Sequence, residues 1–78
     1  MDIKQLENLI ALVEEGNVRE AAQRQHISQP GLSMSIKRLE ESLNDTLFQR
    51  QGRKIRPTEH CLEFYQRAKL ALAQLNLG

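Results

Sequence analysis

Gln29, Pro30, Ser33, Met34, Lys37 and Arg38 fall within ten consecutive residues. An amide, a hydroxyl, two cations and two apolar groups so close together suit reading a surface better than breaking a bond. Glutamine can pair bidentately with adenine, serine can donate to a base edge or a phosphate, and methionine or proline can touch a thymine methyl. Ser28, just before them, is a helix N-cap type. A second group, Arg50, Arg53, Lys54 and Arg56, has no acid among it. Arg53 follows Gly52 at what reads as a loop tip, where a guanidinium could enter a narrow minor groove. Arg50 and Arg56 are better suited to phosphates. The plainer alternatives are a solvated helix face, a solubilising charged loop, and an Arg50 paired with Glu40 or Glu41.

Bond-making chemistry finds no comparable support. His26 and His60 are far apart, and neither has a Cys or Asp at metal-ligand spacing. Cys61 adjoins His60, but neighbouring helical positions do not face each other, which removes a nucleophile–base pair. His26 reads as a turn residue, His60 as exposed, and Cys61 as a small buried hydrophobe. There are no paired carboxylates and no phosphate-cradling loop. The chain reads as a non-enzyme that uses no cofactor and no metal.

The elements that must carry these residues are mostly helical. Asp2 with Gln5 forms a capping box ahead of the stripe Ile3, Leu6, Leu9, Ile10 and Val13, and Gly16 ends that helix. Asn17 and Glu20 suggest a second capping box, followed by Val18, Ala21 and Ala22, whose small side chains allow close helix approach. His26-Ile27-Ser28 is a tight connection in which Ile27 turns inward. Leu32, Ile36, Leu39 and Leu43 then form one stripe of a third helix, with Pro30 in its first turn and Asn44 at its C-cap. Opposite that stripe stand Pro30, Met34, Lys37 and Glu41, flanked by Ser33 and Arg38, and the helix N-terminus presents amide hydrogens to an anion. Two helices joined by so short a turn are a helix-turn-helix. Residues 47–50 and 55–58 flank Gln51-Gly52-Arg53-Lys54 as a short hairpin, with Pro57 limiting its second strand. The last helix opens at Thr58 and runs to about Leu75. Its apolar residues Leu62, Phe64, Tyr65, Ala68, Ala71, Leu72 and Leu75 cover more than one face, so one stripe packs on the domain and the rest asks for a partner.

Composition agrees. The chain has 78 residues, 40% hydrophobic, with a net charge of +1. That is one small domain with little room for both a core and a substrate pocket. Residues 1–28 carry a balance of −2 and residues 29–58 a balance of +3. The positive charge is thus focused on the segment that holds both residue groups. A single cysteine suits a reducing compartment. No signal peptide or membrane-length apolar run is present, which points to a cytoplasmic protein without membrane attachment.

Glu20-Ala21-Ala22, Ile27-Ser28-Gln29-Pro30-Gly31-Leu32-Ser33, Ile36, Leu39-Glu40, Leu43, Leu47-Phe48, Arg50 and Pro57-Thr58-Glu59 together resemble the N-terminal domain of LysR-type transcriptional regulators. The match is ungapped over nearly the whole chain. The resemblance implies a mainly α winged helix-turn-helix, of three helices and a short β-hairpin wing, followed by a long linker and dimerisation helix. Residues 1–58 would form the DNA-binding unit and 59–78 the linker helix. It further implies a recognition helix at about 28–43 in the major groove of duplex DNA, a wing at 47–58 approaching the minor groove, and a homodimer on an interrupted palindrome. Family contact positions match at Gln29, Pro30, Ser33, Arg50 and Arg53. With Ser28, Met34, Lys37, Arg38, Lys54 and Arg56 these make up the expected DNA surface. Leu62, Tyr65, Ala68, Leu72 and Leu75 are assigned to the dimer seam, and an effector-binding domain is expected C-terminal in the full-length chain. Three positions depart from the family: Met34 stands where arginine is usual, and Asn44 and Cys61 replace common glycines. The competing reading is a winged-helix protein-interaction module that no longer reads DNA, which Met34 and the low net charge favour.

Overall fold

The computed structural model describes residues 1–52 and 54–75. Helices α1 (Ile3–Glu15), α2 (Val18–Gln25) and α3 (Gln29–Leu43) precede strands β1 (Phe48–Gln51) and β2 (Lys54–Pro57), and α4 (Glu59–Leu75) follows. This is the mainly helical winged helix-turn-helix with a long last helix that the sequence implies. None of the described helices is long and apolar enough to cross a membrane.

Local chemistry sets most boundaries. Asp2 accepts from the Gln5 amide at 2.8 Å while Gln5 accepts from the Asp2 amide at 3.1 Å, a complete capping box. At α2 the Asn17 side chain accepts from the Glu20 amide at 2.8 Å. The return arm differs from the expected box, because Glu20 accepts from the Asn17 side-chain amide at 3.1 Å. The asparagine carboxamide carries its own donor, so its side chain meets that carboxylate directly. Asn44 takes the left-handed conformation at φ 52° and ends α3. Cys61 is not among the positive-φ residues, so the cysteine strains no backbone there.

Helix α1 is the hub against which the other three helices pack. Its buried residues are Asn8, Leu9, Ile10, Ala11 and Leu12, a broader face than a single stripe. Ile3, expected in that stripe, is 52% exposed. It lies in the first turn of α1, ahead of this buried run. Ala21 and Ala22 of α2, Leu32, Ile36 and Leu39 of α3, Leu47, Phe48, and Cys61 and Ala68 of α4 complete the core. The antiparallel hairpin pairs Phe48 with Pro57, Arg50 with Ile55, and Gln51 with Lys54. Its ladder therefore extends one residue nearer the tip than the sequence suggests, and Gly52 supplies a positive φ of 63°.

Candidate nucleic-acid interface

The α2–α3 connection aims the third helix outward. His26 caps α2 in the left-handed conformation at φ 57°, and Ile27 donates back to the Ala22 carbonyl at 3.0 Å. Ser28 follows in extended backbone and accepts from the Gly31 amide at 3.0 Å. Its hydroxyl hydrogen stays free to donate. The helix end offers fewer free amides than expected, since Pro30 has none, Ser28 holds Gly31, and Leu32 bonds the Ser28 carbonyl at 2.9 Å. The Ser28 and Gln29 amides are what remain for an anion.

With Leu32, Ile36 and Leu39 buried, the opposite face of α3 is open. Gln29, Pro30, Met34, Lys37 and Arg38 are exposed and Ser33 is half-buried. The hairpin register then separates the basic wing residues. Arg50 stands opposite Ile55, on the same face as Phe48, because alternate strand residues share a face. Lys54 and Arg56 point the other way. Arg50 shares a surface groove with Gln29, Pro30 and Ser33 of α3 and with Val18 of α2. A second groove joins Arg50, Phe48 and Ile55 to Ser33 and Lys37. Val18 is a lining residue that the sequence reading used only for the core. Arg53 lies outside the described residues.

Charge pairing leaves the described cations of α3 and the wing free, as it does Arg19 and Arg67. Among the described residues the ion pairs join Lys4 to Glu7, Arg24 to Glu14 and Glu15, His60 to Asp45, and Lys69 to Glu14. Lys37, Arg38, Arg50, Lys54 and Arg56 make none, and all five are exposed. The alternative of an Arg50 held by Glu40 is not what the structure has. The Glu40 carboxylate is occupied, accepting from the Leu47 and Phe48 amides at 2.7 and 3.2 Å. That contact fixes the wing to α3.

Two further supports escaped the sequence reading. Asn8, 4% exposed, donates to the Ser35 hydroxyl at 2.9 Å and accepts from the Gln25 side-chain Nε2 at 3.0 Å. One buried amide thereby sets the mutual register of α1, α2 and α3. Thr58 donates to the Thr46 carbonyl at 3.1 Å and accepts from the Cys61 amide at 3.1 Å, tying the start of α4 to the wing.

The last helix corrects one assignment. Ala68, placed at the dimer seam by sequence, is 4% exposed and belongs to the protomer's own core. It shares the inward face with Cys61, Phe64, Tyr65 and Leu72. Tyr65 and Leu72 are only half-buried, while Leu62 and Leu75 are exposed. Leu70, which the sequence reading left out, is 69% exposed. Tyr65 donates to the Glu14 carboxylate, which also meets Arg24 at 2.8 Å and Lys69 at 3.5 Å. The Tyr65 hydrogen bond, then Arg24, hold the Glu14 carboxyl below its ordinary range. Cys61 is fully buried, and burial first, then the Glu40 charge, pushes its thiol up to about 12. His60 is exposed, and its Nδ1 lies 3.0 Å from Asp45.

Known proteins share both sequence and fold with this chain. The family model "Bacterial regulatory helix-turn-helix protein, lysR family" matches residues 3–62. The HTH-type transcriptional regulator ClcR of Pseudomonas putida is 40% identical over 72 residues, covering 92% of this chain and 24% of ClcR. The chain therefore spans about a quarter of that relative's length. Among solved structures, BenM_DBD in a complex with benA site 1 DNA superposes with a TM-score of 0.93 at 36% identity, covering 97% of this chain and 88% of that one. CbnR_DBD in its DNA complex gives 0.92 at 35% identity, covering 96% and 86%. A matched family model over most of the chain and a shared winged fold at this identity lead to one conclusion: the chain is a DNA-binding domain and belongs to the LysR family of bacterial regulatory helix-turn-helix proteins.

Proposed function

We propose that this domain reads duplex DNA as half of a homodimer, with α3 in the major groove and the wing at the minor groove. The observation that carries it is the convergence of Gln29, Pro30, Ser33 and Arg50 on one groove, within a surface whose described cations are all unpaired. Gln29 and Ser33 are the polar base-edge readers, while Lys37, Arg38, Arg50, Lys54 and Arg56 neutralise phosphates. Ser28 donates to a phosphate beside the start of α3. Arg53, by its place next to Gly52, enters the minor groove.

The second copy is held through the last helix. Leu62, Leu70 and Leu75 are its large exposed apolar residues, and Tyr65 and Leu72 offer their uncovered edges. Relatives about four times longer support an effector-binding domain following in the full-length regulator. Such a regulator acts in the bacterial cytoplasm, where its DNA lies.

The test is selection from random duplex DNA on the 78-residue chain, with sequencing of what is retained. An interrupted palindrome with half-sites about one helical turn apart is the expected product. For the enriched duplex, the Arg50→Ala variant should reduce the log–log salt slope of binding by about 0.9, the value of one phosphate contact. A chain that retains no duplex at any salt concentration would instead be an interaction module on a winged-helix scaffold.

A further inference from the structure

Six large hydrophobic side chains are exposed among the described residues: Met1, Ile3, Met34, Leu62, Leu70 and Leu75. Two lie at the N-terminus and three on α4. Met34 is the one on α3, 51% exposed and lying between Pro30 and the cations Lys37 and Arg38 on the outward face. Its setting is built for contact. Gly31, one turn earlier, presents no side chain, and Arg38 follows one turn later. These three residues line one shallow depression with Ser35, with Lys4, Gln5 and Asn8 of α1, and with the Asp2 carboxylate, which is engaged in capping α1. Arg38 has no ion pair among the described residues, and the Lys4 pair with Glu7 is loose at 3.9 Å.

A thioether has no hydrogen to donate and accepts only weakly. Met34 therefore cannot serve a phosphate or the polar edge of a base. It is flexible and polarizable, and it adapts to apolar surface. In the major groove the apolar group a base pair presents is the C5-methyl of thymine. We infer that Met34 makes this domain select a thymine at one half-site position through its methyl group, with Arg38 and Lys4 on flanking phosphates to hold the helix at that depth. This inference rests on the duplex-reading function proposed above, and the experiment separates the two.

Two random duplex libraries are made, one with thymine and one with deoxyuridine at every thymine position. The two differ only in the C5-methyl group. The domain should select the same half-site from both, save for one position. There a thymine preference of about fourfold, the value of one buried methyl group, disappears in the uracil library. Met34→Ala should select with equal preference from both libraries. The substitution is at an exposed position, so it leaves the core untouched. Identical preferences from both libraries with the unaltered domain would overturn the Met34 inference and leave the duplex-reading function standing. Failure to retain either library would overturn both.

Discussion

At the scale of single residues, sequence neighbours decided what could be read in advance. Asp2, Ser28 and Asn44 cap their helices through partners three or four positions away, so their roles are written locally. Asn8 and Glu40 work through partners brought together by folding, across 27 residues for Ser35 and 7 for Leu47. No local pattern marks them. His26 was legible as a turn residue, though its left-handed conformation follows from the need to end α2 abruptly before Ile27 turns inward. Cys61 shows how environment sets reactivity. Its thiol is pushed up to about 12 by burial and by Glu40, so very little thiolate exists at neutral pH. In native buffer a thiol-specific reagent should leave Cys61 unmodified, and denaturant should release one reactive thiol per chain. Rapid stoichiometric labelling of the folded domain would mean that the start of α4 opens readily.

Between elements, ion pairs and packing fix how α4 sits on the domain. Tyr65 on α4, Glu14 at the end of α1, Arg24 on α2 and Lys69 on α4 meet at one carboxylate. The Glu14 carboxyl is held low in the folded state, chiefly by Tyr65 and then by Arg24. A depressed folded value contributes stability that is complete above the unfolded carboxylate range and is lost as pH falls through and below that range. Tyr65→Phe removes the largest cause, so acid unfolding followed by circular dichroism should shift to higher pH. An unmoved acid midpoint would show that the α1–α4 contact does not depend on this group. Helix positions were legible from apolar periodicity, whereas the division of the wing was not. Only the strand register separates Arg50, which faces α3, from Lys54 and Arg56 on the other side. A shift of one residue would have exchanged them.

For the whole molecule, charge and apolar surface are sorted onto different regions. Acids on α1 and α2 are partly neutralised by Arg24, Lys4 and Lys69, and the cations of α3 and the wing stay free. That focusing suits a polyanion even at a net charge of +1. The last helix carries the other surface. Leu70 points away from the core at 69% exposure, so Leu70→Glu should break the proposed dimer while leaving the monomer's thermal midpoint nearly unchanged. Sedimentation that still reports the dimer mass would put the seam elsewhere. Leu72 is a poorer probe, because it packs partly on its own protomer's core and its loss would mix unfolding with dissociation. The sequence by itself determined the helices, most of their caps, the hairpin and the outward face of α3, since periodicity and short-range hydrogen bonds are encoded within a few residues. Tertiary structure decided which basic side chain joins the recognition helix, which buried amide registers the three helices, and which face of α4 stays uncovered. Those outcomes depend on contacts between distant segments, and a linear pattern does not contain them until the chain packs.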